Sequence, residues 1–307
     1  MPDPVPHSHF LAARRVARVL LASVIAGGAV SAVTGTAFAV EPERDGLTAI
    51  IVPPGDNVDQ VPGNTSAQGK PDGGGGGGGG GPKTSRGYDI SYPQCGGAFP
   101  ANPAFGIVGV NGGRVFSANP CLSAQIAWGG SGSAALYANT GNPGPVLSSH
   151  WPSGQTSPRV CDAANPDTAD CAYDYGWNAA QHSFQTAQAA YQSLGLTAKP
   201  AATRWWLDVE TSNSWRDDPS LNIEALAGEV DYLSTTAGVT RLGFYSTQLQ
   251  WNTITAGSLS FSAYPSWIAG GGTLRGAHQL CTRPAFTGGT TVLAQYFSSG
   301  FDADLPC

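Results

Sequence analysis

The sequence predicts a single α/β domain built as an irregular, TIM-like β/α barrel. Short apolar runs alternate with helical patterns or long loops, which favours a mainly parallel sheet. Several of these runs end in polar or acidic residues, and no Gly-x-Gly-x-x-Gly motif opens a helix. Because catalytic groups gather at the carboxyl ends of barrel strands, a barrel is favoured over a doubly wound sheet. Few helical patterns accompany the strands, so we expect an irregular barrel.

The first 86 residues are expected to lie outside this domain. Residues 1–39 have the pattern of a secretory signal peptide, with three arginines before an apolar stretch and a cleavage motif at Ala37-Phe38-Ala39. Residues 40–86 are rich in glycine and proline and hold few large apolar residues, which indicates a flexible linker. The remaining segment, 87–307, has the size of one ordinary domain.

The signal peptide predicts a secreted or envelope-associated protein, although Arg14-Arg15 leaves the general and the twin-arginine export routes open. The apolar stretch is short, so no stable membrane span is expected after the signal is removed. The chain has a formal net charge of -6, and loss of the signal makes it more negative. This charge argues against nucleic acid or an anionic membrane as partners. We expect a monomer.

All six cysteines lie in the predicted domain, and an even number in an exported chain indicates disulfides. Six cysteines allow about fifteen pairings. Pairs of neighbours are favoured because each would close a loop-rich segment: Cys95 with Cys121, Cys161 with Cys171, and Cys281 with Cys307. With no Cys-x-x-Cys or His-x-x-x-His motif, neither a metal site nor a cofactor is expected.

Within the domain, apolar runs predict seven strands and helical spacing predicts three helices. The predicted strands are 88–91, 105–110, 134–137, 204–210, 242–245, 266–269 and 292–297. The predicted helices are 120–129, 177–194 and 218–238, the last opened by an Asp218-Pro219 cap. Residues 141–172 form a proline-rich loop that the cysteine pair within it is expected to staple.

The predicted site is built around the run from Arg204 to Glu210. Side chains alternate along a strand, so Asp208 and Glu210 point to the same side and Val209 to the other. Two like charges beside bulky aromatic residues are costly to bury. Such a pair can separate two carboxyl pKa values for acid and base chemistry. The alternative is an ordinary loop-capping pair at a strand exit.

Six short motifs occur in order along the predicted domain: Gly87-Tyr88-Asp89-Ile90-Ser91, Trp206-Leu207-Asp208-Val209-Glu210, Gly243-Phe244-Tyr245-Ser246, Trp267-Ile268-Ala269, Gln295-Tyr296 and Ala303-Asp304-Leu305. Their order resembles family 25 of the glycoside hydrolases, which are secreted bacterial lysozymes. The resemblance spans about 87–307 and is closest to exported glycoside-hydrolase-like domains of unassigned activity. The resemblance implies a flattened barrel that cleaves peptidoglycan between N-acetylmuramic acid and N-acetylglucosamine.

The same resemblance implies roles for the acidic residues. Glu210 would be the general acid. Asp208 would stay ionised and either stabilise the oxocarbenium-like transition state or orient a substrate N-acetyl group. Asp89 and Asp304 would be supporting carboxylates. Asp302 and Asp304, expected to follow the last strand, compete for one role, and Asp304 is favoured.

Aromatic and amide side chains near these carboxylates are candidate sugar contacts. Trp206 is favoured because it is in phase with Asp208 and Glu210. Tyr137, Tyr245, Trp267 and Gln295 complete the candidate substrate-binding set. Aromatic residues on buried strands are nevertheless core more often than ligand contacts.

Departures from the family pattern keep other functions open. The turn from Tyr92 to Cys95, the insert at 141–172 and the Pro306-Cys307 end are unusual for the family. A barrel that binds cell-wall glycan without cleaving it, or serves envelope maintenance, is therefore the second hypothesis. A glycosidase for another extracellular polysaccharide is the third. No Gly-x-Ser-x-Gly motif is present, and Trp206 replaces the first acidic residue of a chitinase-type Asp-x-Asp-x-Glu.

Overall fold

A computed structural model describes residues 86–307, and at its centre eight strands form a closed barrel. The first seven strands are parallel and follow chain order, while the eighth pairs antiparallel with both β7 and β1. The strands are β1 (Gly87–Ile90), β2 (Gly106–Gly109), β3 (Ala135–Asn139), β4 (Trp205–Asp208), β5 (Leu242–Ser246), β6 (Ser266–Ile268), β7 (Thr291–Ser298) and β8 (Phe301–Pro306).

Five α-helices connect the strands across the described residues. They are α1 (Leu122–Trp128), α2 (Ala169–Ser193), α3 (Pro219–Asp231), α4 (Gln248–Thr255) and α5 (Leu274–Leu280). Four of them begin after a residue whose side-chain oxygen accepts a backbone N–H of the first turn: Thr168, Asp218, Thr247 and Thr273. Each cap satisfies a donor that the helix itself leaves unpaired.

The strands separate two hydrophobic layers because their side chains alternate between faces. On β4, Trp205 and Leu207 face outward into the main core between sheet and helices, where the Trp205 ring stacks on Phe184 of α2. Trp206 faces inward and belongs to a smaller cluster that fills the barrel. The same alternation therefore turns Asp208 inward.

The predicted single β/α barrel with disulfides is confirmed. The three favoured cysteine pairs are bonded: Cys95–Cys121, Cys161–Cys171 and Cys281–Cys307. The long loop before α2 is also held by Arg159, whose guanidinium lies 3.6 Å from the centre of the Tyr173 ring and 2.8 Å from a Glu224 carboxylate oxygen.

Several predicted elements are corrected. Asp302 and Asp304 do not follow the last strand; they lie on β8, whose pairing with β1 closes the barrel. Helix α2 begins eight residues before the predicted start, because Thr168 caps it within the proline-rich segment. Helices α4 and α5 were not predicted, since eight and seven residues are too few for a clear helical period.

The predicted signal peptide, 1–39, and the predicted linker, 40–86 except for its last residue, lie outside the described residues. Between residues 86 and 307, none of the helices combines the length and the apolar character needed to cross a membrane.

Helices α2 and α3 cross at two glycines. A Cβ added at Gly176 would collide with the carbonyl oxygen of Ala225, and one added at Gly228 would collide with that of Tyr173. Both obstacles are backbone atoms, so neither can move aside without separating the helices. Close backbone approach therefore requires glycine at both positions.

We expect Gly176→Ala to lower the free energy of unfolding by about 3 kcal/mol or more. Alanine improves helix propensity by only about 1 kcal/mol, which the forced separation of two packed backbones exceeds. Urea denaturation followed by circular dichroism measures the change. The matched control is Gly97→Ala, whose Cβ would meet only the Gln94 carbonyl oxygen at 3.5 Å and should be neutral within about 0.5 kcal/mol. Equal stability of the two variants would contradict the account of the crossing.

Candidate active site

The structure brings all five predicted acidic positions to one end of the barrel. Asp89 on β1 is directly paired with Asp302 on β8, and Asp304 follows two residues further along β8. Asp208 ends β4, and Glu210 lies two residues beyond it. These side chains occupy the inward row near the carboxyl ends of the parallel strands, where barrel enzymes carry their active sites.

Asp89 is half-buried and is positioned by a chain of two hydrogen bonds. The Tyr245 hydroxyl donates to Gln295 Oε1 at 2.9 Å, and Gln295 Nε2 donates to Asp89 Oδ2 at 3.0 Å. Burial and the neighbouring Asp302 and Glu210 carboxylates raise the pKa of Asp89 to about 7, although the Gln295 hydrogen bond lowers it. Asp89 therefore exchanges its proton near neutral pH.

Asp208 is 3% exposed, and only one of its two carboxyl oxygens has a hydrogen-bond partner. Its Oδ2 accepts a hydrogen bond from Asn139 Nδ2 at 2.8 Å, whereas Oδ1 is buried without a partner. Burial, followed by the charges of Glu210 and Asp89, raises the pKa of Asp208 well above its ordinary value. Burial thus works against the ionised form that the family resemblance implies for Asp208, and none of the ion pairs among residues 86–307 offsets it.

Asp304 is sealed inside the barrel, and neither carboxyl oxygen has a hydrogen bond of ordinary geometry. Burial and the charge of Asp89 raise its pKa well above the ordinary value, while the nearby Trp267 indole N–H lowers it. A neutral carboxylic acid is the form that such surroundings favour.

Glu210 and Asp302 are the carboxyl groups at the mouth of the barrel. Glu210 is half-buried, and its pKa is raised by burial and by the charge of Asp302, while a hydrogen bond from Gln250 lowers it. Asp302 is the most exposed of the five, and partial burial raises the pKa of its carboxyl. Of these two groups, Glu210 is the better placed to hold a proton and still reach a ligand.

No cation balances this group of carboxyls. The three ion pairs among residues 86–307 join Arg159 to Asp170 and to Glu224, and Arg216 to Asp167, and none involves the barrel mouth. Within the same residues, no cluster of three or more histidine, cysteine or acidic side chains is arranged to hold a metal ion. Among the described residues, protonation is therefore the means by which the repulsion between these carboxyl groups is reduced.

The predicted sugar contacts fall into two groups. Trp206 and Trp267 are 1% exposed and form the floor beneath the carboxyls, with ring centres 5.7 Å apart. Their burial does not support a role as a sugar-binding wall, because neither ring presents a face to solvent. Tyr137 and Tyr245 are half-buried against Trp267, at 6.2 Å and 4.4 Å between ring centres. Gln295 lies between Tyr245 and Asp89.

Sequence reasoning missed three residues of this site. Asn139 fixes Asp208, and its own backbone N–H donates to Asn111 Oδ1 at 2.9 Å. Gln250, on the unpredicted helix α4, reaches Glu210. Phe297 lies directly across from Asp302. Asn139 and Phe297 were each two residues beyond a predicted site residue on the same strand, so strand alternation was the signal for both.

The fold is similar to those of solved cell-wall-degrading enzymes. The muramidase from Trichobolus zukalii is 17% identical with a TM-score of 0.46, covering 72% of this chain and 93% of that one. The lysozyme from Streptomyces coelicolor is 17% identical with a TM-score of 0.41, covering 73% of this chain and 93% of that one. The spore cortex lytic enzyme SleM from Clostridium perfringens is 13% identical with a TM-score of 0.44, covering 74% of this chain and 68% of that one. No protein-family model and no curated protein matches the chain. A likeness at this level does not establish an activity.

The raised pKa of Asp89 predicts a pH-dependent stability. Its value is 3.8 in an unperturbed carboxyl and about 7 in the folded protein, so the folded state holds the proton more tightly. Stability from this group is therefore present at low pH and is lost as the pH rises from about 4 to about 7. Asp89→Asn should raise the free energy of unfolding at pH 7 by about 2–4 kcal/mol and have little effect near pH 4.

Urea denaturation between pH 4 and pH 8 measures this difference. The control is Asp162→Asn, an exposed carboxylate on the loop before α2, which should follow the wild-type profile. A destabilising effect of Asp89→Asn at pH 7 would show that the carboxylate is stabilised in the fold, contrary to this account.

Proposed function

We propose that the protein is a secreted glycoside hydrolase that acts on cell-wall peptidoglycan, with Glu210 as its general acid. The observation that carries this proposal is the set of five carboxyls gathered at one end of the barrel, none of which takes part in an ion pair among residues 86–307. Burial and mutual repulsion raise the pKa values of such groups, and a raised pKa is what the general acid of glycosidic cleavage requires. The substrate class comes from the resemblance of the sequence motifs to lysozymes.

Glu210 protonates the glycosidic oxygen as the bond breaks. It is less buried than Asp208 and Asp304, so a glycan at the mouth can reach it, and its pKa is raised. The neighbouring Gln250 amide limits that rise. None of the ion pairs among the described residues involves the Glu210 carboxylate, so this group is free to contact a substrate.

Asp208 stabilises the positive charge that develops on the sugar. Burial raises its pKa in the free protein, whereas a cationic transition state close to Oδ1 favours the ionised form. Asn139 holds the other oxygen, so the carboxyl does not need to turn as its charge changes. Asp89, held by Gln295, positions the attacking water or accepts the displaced proton, and Asp304 tunes Asp89.

The proposal includes the rest of the chain. Residues 1–39 direct export, residues 40–86 form a tether, and residues 87–307 form the catalytic domain. The three disulfides support export, because such bonds persist in oxidising compartments.

A glycan-binding module without turnover is the second candidate. The observation that favours it is the near-complete burial of Asp208 and Asp304, which are 3% and 0% exposed. A groove whose inner carboxyls are out of solvent can hold a sugar at its rim without cleaving it.

Turbidity loss of purified cell walls tests the hydrolase. Glu210→Gln should slow clearing by a factor of about 100 to 10,000, because general acid catalysis contributes that much. The rate of the wild-type protein should also fall as the pH rises above the raised pKa of Glu210, where the acid is lost. Asp162→Asn is the control and should clear walls at the wild-type rate.

The contrary outcomes are distinct. Equal clearing by the Glu210→Gln and wild-type proteins would remove Glu210 from the mechanism. Sedimentation of the wild-type protein with insoluble walls, with no reducing ends released, would establish the non-catalytic module instead.

A further inference from the structure

Phe297 is an exposed aromatic side chain placed at the barrel mouth. It lies on β7 two residues after Gln295, so it continues the inward-facing row of that strand. In the antiparallel pairing of β7 with β8 it is directly opposite Asp302. Its side chain is nevertheless 54% exposed, because it lies beyond the side chains that pack inside the barrel. An aromatic ring and a carboxylate therefore stand side by side at the entrance.

The charge around this pair has one sign. Asp302 raises the pKa values of both Asp89 and Glu210, which shows that its charge reaches both groups. Further inside, Asp208 Oδ1 and both oxygens of Asp304 are buried without hydrogen-bond partners. These unpartnered acceptors face the same interior. None of the ion pairs among residues 86–307 brings a positive charge to these carboxyls, and a cationic ligand can supply one.

The chemistry that complements these features is that of an amino sugar. One face of a pyranose ring carries C–H groups that stack on an aromatic ring, and a protonated amine supplies a charge-assisted hydrogen bond to a carboxylate. An N-acetylated sugar satisfies the aromatic ring but brings no charge to Asp302.

We propose that Phe297 and Asp302 form a subsite for a hexosamine whose amine is free and protonated, so that the site selects de-N-acetylated positions of a cell-wall glycan. This inference rests on the proposed function, because it names the substrate class of the same site. Phe297 acts through stacking and holds any hexosamine. Asp302 acts through charge and sets the preference for the free amine.

Calorimetric titration of the full chain with two tetrasaccharides tests the subsite, one built of glucosamine and the other of N-acetylglucosamine. At pH 6 and low ionic strength, the wild-type protein should bind the glucosamine tetramer about tenfold more tightly. Asp302→Asn should reduce that ratio to about twofold while leaving binding of the acetylated tetramer unchanged. Phe297→Ala should weaken both tetramers equally, by about threefold to tenfold.

Matched controls separate these effects from general surface changes. Asp162→Asn removes an exposed carboxylate elsewhere, and Leu259→Ala removes a side chain that is 65% exposed before β6. Neither should alter the affinity for either tetramer. Because Asp302 and Phe297 are themselves exposed, their variants should keep the wild-type melting temperature within a few degrees.

Three results would overturn the subsite: no binding of either tetramer, equal binding of both by the wild-type protein, or an unchanged ratio in Asp302→Asn. The proposed hydrolase is judged separately by wall clearing. A protein that does not clear walls but prefers the free amine keeps the subsite and loses the hydrolase. A protein that clears walls but binds both tetramers equally keeps the hydrolase and loses the subsite.

Discussion

The structure is governed by the concentration of carboxyl groups inside a closed barrel without a compensating cation. Strand alternation turns Asp208 inward together with Trp206, and barrel closure places Asp89 against β8 with its two aspartates. Two ionised carboxylates close together in a low-dielectric interior repel each other strongly. Protonation of one of them reduces that repulsion. The acid chemistry of the site and its pH-dependent stability therefore have the same origin.

The surrounding fold maintains this unfavourable arrangement. The floor of tryptophan and tyrosine rings excludes water from below, and Gln295 and Asn139 each fix one carboxyl with an amide N–H. Both amides donate hydrogen bonds without adding charge, so they orient Asp89 and Asp208 while leaving most of the rise in pKa in place. An arginine at either position would pair with the carboxylate and stabilise its ionised form. Neutral donors thus preserve the acidity that the proposed reaction uses.

The barrel, the disulfide pairs and the convergence of the acidic residues could be predicted from the sequence, since strand alternation and motif order are local signals. The eighth strand was not, because Phe301 to Pro306 alternates polar and apolar residues beside a terminal cysteine and gains its order only by pairing with β1 and β7. The rise in the pKa of Asp208 was also not predicted. Burial is its largest cause, followed by the charges of Glu210 and Asp89, and burial is set by packing in three dimensions rather than by the sequence Asp-x-Glu.

The central claim is that the barrel retains carboxyl protons at neutral pH. Carbon-13 NMR titration of the side-chain carboxyls measures this directly, with the Asp89 resonance assigned from its absence in Asp89→Asn. The account predicts that Asp89 titrates near pH 7 and that its curve is broadened by coupling to its neighbours. If all five carboxyls at the barrel mouth titrate below about pH 5, as ordinary exposed groups do, the claim is contradicted.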